Sequence, residues 1–473
     1  MKFSDLNFNN HFEKLGKDFF SKITPKPLEE SRIVAYSAKA CELINLDEKE
    51  FLNTDFCDFF SAKKTHPNFC NLSAIYAGHQ FGYFVSQLGD GRACLLSQIT
   101  NQKNESFDLV LKGCGLTPYS RQGDGKAVLR SSIREFLISE SMFALNIPTS
   151  RALCLIASNE KVYRDGLEKA AQIIRLAPSH VRFGSFELFF YRKQNQQIKI
   201  LTDYVISKYF PQTKNYSDFL ANVVESTAKM IAKWQAIGFC HGVMNTDNMS
   251  IHGITFDYGP FGFLDEFNRN HICNSSDHLG RYSFANQPAI GFWNLHAFAI
   301  TLSSLIEPEE QKKILENYEQ IFLNEYHQLM AQKLGFIGFD DEVKSLIYQI
   351  LDLLEKHKID YTIFFRQLAN QTSKNCQNNE LKNWNNQYFQ LLKSKNIQNP
   401  ERKNLMNSVN PKFILRNYLL QNAIQKAELE NDFSEVKNLQ KIMQNPFDEQ
   451  NEFDFYAKIP PIWAKEIKIS CSS

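Results

Sequence analysis

The chain has 473 residues, 43% of them hydrophobic and 22% charged, with 53 Lys and Arg against 52 Asp and Glu. This length is too great for one small core, so two or three domains or lobes are expected, and the +1 balance argues against a general nucleic-acid or membrane-surface binder. No apolar run is long enough to span a bilayer, and MKFSDLNFNN has no leader-like apolar core, so a cytoplasmic protein is expected.

Residues 1 to about 70 read as mixed helix and loop, with an apolar period around Phe12, Leu15, Phe19 and Phe20. From Ile75 to Lys112 the period shortens. FGYFVSQL, ACLLSQI and FDLVLKG, separated by a GDGR turn and a polar turn, predict three antiparallel strands. Val128 to Leu145 predicts a helix, since Leu129, Ile133, Phe136, Leu137, Met142 and Leu145 fall at helical spacings. Two more strands, ALCLIAS and AAQIIRL, follow with a basic turn between them. Strands, helix and strands in that order predict an α+β lobe. Helices are then predicted at Phe219–Ile237, Gly291–Ile306, Lys312–Leu329, Val343–Leu354 and Phe413–Ala427. The irregular stretch from Cys240 to Asn286 is long enough to suggest a functional loop. Gln371 to Asn407, rich in Asn, Gln and Lys, predicts polar helices and loops.

The chemistry concentrates in KGCGLTPYSRQGDGKAVLRSSIRE, Lys112 to Glu135. From Lys112 to Arg134 five basic residues face one acid, Asp124, a local balance of 5 − 1 = +4 in a neutral protein. Four glycines interleave with these charges, so backbone amides and cations can approach a phosphate together. Around this loop the chain has a glycine turn (Gly89, Asp90, Gly91, Arg92), Lys112 at a strand end and Glu135 on the next helix. HGVMNTDN (His241–Asn248) and DYG (Asp257–Gly259) follow. Each is weak alone, but the ordered set is the protein-kinase plan of glycine loop, strand Lys, helix Glu, catalytic loop and metal Asp. Lys112 would meet phosphate oxygens, Glu135 would hold it, and Asn248 and Asp257 offer hard oxygen ligands for Mg²⁺. A kinase base would stand two positions after His241, where the chain has Val243; Asp247 is the nearby carboxylate.

These segments, with YAGHQFGYFVSQLGDGR, DYGPFGFLDEF and CNSSDHLGRYSFANQP, closely resemble the selenoprotein O (YdiU) family over nearly the whole chain. The resemblance implies a kinase-like, two-lobed α+β fold with N-terminal and C-terminal helical extensions. The corresponding division is an extension at 1–70, a nucleotide-loop lobe at 71–200, a metal-site lobe at 201–360 and a helical region with a redox tail at 361–473. It implies ATP bound in reverse, AMP transferred to Ser, Thr or Tyr hydroxyls of other proteins, pyrophosphate released, and Mg²⁺ or Mn²⁺ as the ion; UMP transfer is a further implied activity. By motif, Gly89, Gly91, Arg92, Lys112, Asp124, Gly125, Arg175, Arg182 and Asp257 would bind nucleotide. Asp247 would accept the proton, Asn248 and Asp257 would hold metal, and Glu135 would pair with Lys112. Residue patterns alone leave Arg175 and Arg182 as ordinary charges, and leave a γ-phosphate kinase and a non-catalytic nucleotide-binding scaffold open as rivals. The partners expected are protein substrates, with no nucleic acid and no membrane, and the chain is expected to be a monomer.

The ten cysteines show no CxxC or Cys/His spacing, which argues against zinc and against a disulfide framework. The family resemblance implies a Cys273–Cys471 disulfide. Residue patterns in a reducing cytosol favour two free thiols instead.

Overall fold

A computed structural model describes residues 1–164, 166–370 and 378–470. Its N-terminal half is organised by one antiparallel sheet. The strands that enter it are β1 (Phe20–Lys22), β2 (Arg32–Tyr36) and, after helices α1 (Ala38–Leu43) and α2 (Thr54–Phe60), β3 (Leu72–Ala74). A separate hairpin, β4 (Gly78–Gln80) and β5 (Tyr83–Val85), precedes β6 (Ala93–Thr100), β7 (Ser106–Lys112) and the short β8 (Ala127–Val128). Helix α3 (Leu129–Ala144) leads into the long pair β9 (Arg151–Tyr163) and β10 (Leu167–Ala177). The order across the sheet is β1-β3-β6-β7-β10-β9-β2, with β8 against β10.

The central strands read as nearly continuous apolar runs because both faces of the sheet are covered. Leu95, Val110 and Ile173 face a core shared with α3 and the helical half. Cys94, Leu96, Leu109, Leu111 and Ile174 face a second core built with Phe3, Phe56 and Phe60 from the first 70 residues. That segment therefore does more than the expected helix and loop: it supplies both edge strands and one covering layer.

The first of the three expected strands also differs. FGYFVSQL does not join the sheet; it supplies the turn and the second strand of the β4–β5 hairpin, whose first strand lies just before it, and the hairpin pairs with no other strand among the described residues. The reason is local. His79 N donates to Thr246 Oγ1 at 2.7 Å and Phe81 N to Tyr282 Oη at 2.9 Å, so the hairpin docks on the loop at 245–247 and not on β6.

The C-terminal half is helical: α4 (Phe183–Tyr191), α5 (Asn195–Tyr209), α6 (Tyr216–Ile237), α7 (Gln287–Thr301), α8 (Pro308–Lys333), α9 (Asp341–Lys356), α10 (Tyr361–Leu368), α11 (Asn379–Ser394), α12 (Asn399–Val409), α13 (Asn417–Gln425) and α14 (Ser434–Met443). Helix α6 starts where Asn215 caps Asp218 N and ends at Gly238 in the left-handed region. Phe413 to Leu415, expected in a helix, are buried before α13 begins, and a π-turn at Lys426–Glu430 follows it. Trp384 and Tyr388 of α11 are buried in a core of their own with α8, α9 and α12, so the polar 371–407 segment is anchored where it is described. Between α6 and α7 the chain is irregular, apart from the two-residue strands β11 (Phe239–Cys240) and β12 (Gly262–Phe263) and 3-10 turns at Thr246–Asn248 and Phe284–Asn286. No helix among the described residues is long and apolar enough to cross a membrane.

Candidate functional site

Lys112 is the last residue of β7, and its register partner on β10 is Ile173. Side chains alternate along a strand, so Arg175, two residues on, shares the face of Lys112. Helix α3 packs on that face and presents Glu135 to both. Lys112 Nζ lies 2.5 Å from Glu135 Oε2, and Arg175 pairs with the same carboxylate. All three are less than 8% exposed.

The second half of the site comes from the helical side. Arg182 precedes α4 and donates from Nη1 to the Asp247 carbonyl at 2.7 Å and to Asp257 Oδ2 at 2.6 Å. Arg175 Nη1 donates to Asp257 Oδ1 at 2.6 Å. Asp257 thus joins the sheet and the helical loop by accepting one arginine on each oxygen. It does so from left-handed backbone at φ 56°, which Asp tolerates better than most residues.

One cleft of about 630 Å³ is lined by Gly89, Gly91, Arg92, Lys112, Asp124, Gly125, Arg175, Arg182, Asp247, Asn248 and Asp257. Every nucleotide, metal and base residue expected from the sequence therefore meets in one place, with Glu135 directly behind Lys112. The glycine-rich loops fold over one another at its rim. Gly113 N donates to Arg92 O at 2.7 Å and Thr117 Oγ1 to Asp90 O at 2.9 Å. Gly125 adopts φ 73°, and an added Cβ there would lie 1.9 Å from Gly115 O. Its glycine is needed for loop-on-loop packing as well as for approach to a ligand. Asp124 is held by Arg164 at 2.6 Å and accepts from Lys126 N, so it braces the loop at the cleft wall.

The electrostatics follow from burial and these pairs. Burial lowers Lys112 to about 8, although Glu135 opposes the shift. Burial raises the Asp247 carboxyl to about 7, only partly offset by Arg182. For Asp257 burial acts the same way, but Arg182, Arg175 and Lys112 outweigh it and hold the carboxyl far below its ordinary range. One carboxylate is thus locked ionised and the other sits near neutrality, which is how acid–base roles become separated. Asp247 Oδ2 accepts from Gln80 at 3.2 Å, while its buried Oδ1 has no hydrogen-bond partner among the described residues.

Asn248 donates its amide to Val243 O at 3.0 Å, and no hydrogen bond to its amide oxygen is found among the described residues. That oxygen and the remaining lone pairs of Asp257 are hard donors that suit a divalent ion completed by phosphate oxygens, and the unpartnered Asp247 Oδ1 stays open to accept a proton. Among the described residues no group of three or more His, Cys, Asp or Glu side chains forms a metal centre from protein alone.

Reading by residue type missed Arg175 and Arg182, and also Arg164 and Gln80. The available signal for Arg175 was a charge inside the apolar run AAQIIRLA; for Gln80 there was none. The Cys273–Cys471 pairing is not supported. Cys273 is a buried free thiol that donates to Cys240 O, and Cys471 lies outside the described residues.

A cation-walled cleft with two differently titrating carboxylates defines a phosphate-handling transferase class of site. The family model for protein adenylyltransferase SelO matches residues 2–444. Proteins named protein nucleotidyltransferase YdiU are similar along their whole length: the one from Ectopseudomonas mendocina is 45% identical over 100% of both chains, and that from Thiobacillus denitrificans 46% identical over 99% of both. The Pseudomonas aeruginosa relative is 43% identical over 99% of both chains. The chain belongs to the SelO family of protein adenylyltransferases.

Proposed function

We propose that this protein is a kinase-like, two-lobed protein adenylyltransferase that moves AMP from ATP to Ser, Thr or Tyr hydroxyls. Residues 71–200 would form the nucleotide-loop lobe and 201–360 the metal-site lobe, with 1–70 and 361–473 as extensions. The observation that carries this reading is the shared cleft in which Lys112, Arg175 and Arg182 face Asp247, Asn248 and Asp257. Lys112, Arg92 and the two arginines would neutralise the triphosphate, and the Gly89–Gly91 and Gly113–Gly125 loops would cradle it. Asn248 and Asp257 would hold Mg²⁺ or Mn²⁺, which when bound screens phosphate charge and aids pyrophosphate departure.

The acceptor oxygen attacks the α-phosphorus, the bond to the β-phosphate oxygen breaks, and pyrophosphate leaves. Asp247 takes the hydroxyl proton on Oδ1; its near-neutral pKa suits it to do so at physiological pH. Val243 lines the same cleft where a kinase would carry its base, which favours α- over γ-transfer.

Incubation with protein acceptors and ATP labelled on either the α- or the γ-phosphate tests this. Label on protein from α-ATP alone is expected. Transfer of γ label would make the protein a kinase, and ATP binding with no transfer of either label would make it a nucleotide-binding scaffold.

A further inference from the structure

Beside Asp247 the molecule carries an aromatic surface that takes no part in nucleotide chemistry. Gln80, which bonds Asp247, pairs across the β4–β5 hairpin with Tyr83, so both side chains leave the same face. Tyr83 is 80% exposed. The other face starts a continuous run of rings from separate segments. Phe84 lies 3.8 Å from Tyr191 of α4, and His79 lies 5.1 Å from Trp293 of α7, centroid to centroid. The Arg281 guanidinium covers Trp293 at 4.9 Å and abuts Gly82 at the hairpin tip.

Arg281 has no ion-pair partner among the described residues, and its Nε is buried without an acceptor. The carboxylates beside Arg281 and His79 are buried and occupied. Asp277 accepts from Arg281 N and Tyr282 N, and Glu187 is bonded to His79 and Thr246. Leu279, two residues before Arg281, is 96% exposed. The hairpin therefore carries Gln80, in the cleft wall, and Tyr83 on one face and the aromatic run on the other, with the Arg281 cation at the tip between them.

We propose that this surface docks the segment of a protein substrate that flanks the acceptor hydroxyl, and that the segment carries an acidic side chain for Arg281. The inference rests on the reading of the cleft as a nucleotidyl-transfer site. A segment whose hydroxyl reaches Asp247 by way of Gln80 would run over Tyr83 and round the hairpin tip to Arg281, where the ring run begins. Exposed Tyr and Trp beside an Arg with no carboxylate partner among the described residues are the residue types that dominate binding energy at protein interfaces. A guanidinium stacked on indole keeps its edge free for a carboxylate.

The test uses the full chain and two fluorescein-labelled peptides, each with one acceptor Tyr, flanked by Glu in one and Lys in the other. Binding is read by anisotropy, and AMP transfer from α-labelled ATP is followed in parallel. Arg281→Glu and Trp293→Ala are each expected to weaken the Glu peptide about tenfold, with ATP affinity within about twofold of wild type. Arg281→Glu should also reverse the preference toward the Lys peptide. Tyr83→Ala, at a site too exposed to unfold the chain, should weaken binding about threefold. Equal binding of both peptides, or binding unaffected by all three changes, overturns the docking surface. Self-association lost in Trp293→Ala with peptide binding unchanged overturns it too and assigns the face to a second copy. Arg281-dependent binding without transfer would instead leave the surface standing and remove the nucleotidyltransferase reading.

Discussion

Replacing Glu135 by Gln preserves side-chain size and removes one of the two carboxylates that balance Lys112, Arg175 and Arg182. The local charge of these five side chains goes from 3 − 2 = +1 to 3 − 1 = +2. Removing one partner of a buried pair costs about 3–5 kcal/mol, and the open side of the cleft places the expected loss of folding stability at the low end of that range. The larger consequence is for Lys112. Burial already lowers it to about 8, and Glu135 is the main influence against a further fall. In the variant its pKa drops, so near pH 8 the amine is mostly neutral. A neutral amine forfeits a charge-assisted bond to phosphate, a difference of about 1–2 kcal/mol or roughly tenfold in Kd. A lysine takes up its proton as pH falls, so the defect should be greatest in alkaline buffer and shrink toward about pH 6. Calorimetric titration of ATP into both proteins across this range measures it. Wild-type affinity in alkaline buffer, or a defect of the same size at every pH, would refute the idea that Glu135 acts through Lys112.

Lys333, at the end of α8, is 4% exposed, sits 4.6 Å from the Phe365 ring centroid, and is lowered by burial from 10.5 to about 7. The unfolded chain binds the extra proton between those values, so stability should rise with pH from about 7 to about 10; Lys333→Met should stabilise by about 2–3 kcal/mol at neutral pH, a gain that shrinks in alkaline melts. Asp257→Asn keeps a residue that tolerates left-handed backbone but leaves Arg175 and Arg182 underneutralised, so transfer should fall at least about a thousandfold, with a lowered melting temperature. Near-normal transfer would remove Asp257 from the metal assignment. Gly125→Ala forces a Cβ against Gly115 O at positive φ, and ATP affinity should drop about tenfold or more in a protein whose far-ultraviolet spectrum is unchanged; unchanged affinity would detach this loop contact from nucleotide binding.

Local pattern was enough to determine the elements whose period is set within one segment. β6, β7, β9 and β10, helix α3, and the long helices α6, α8 and α9 lie where apolar spacing predicts them, because the central strands are covered on both faces, α3 is buried nearly all round, and the long helices each bury an apolar face. The Lys112–Glu135 pair and the Asn248–Asp257 order were likewise legible, since strand end, helix and loop follow one another along the chain. Tertiary structure alone decided the rest. Nothing within HQFGYFVSQL reveals that the backbone donors of His79 and Phe81 will be taken by Thr246 and Tyr282 and not by a neighbouring strand. Arg175 and Arg182 look like ordinary charges until folding brings Asp257 between them across 75 residues or more of chain. Spacing and periodicity record which face of an element avoids water; which distant partner satisfies a buried charge is a property of the assembled core.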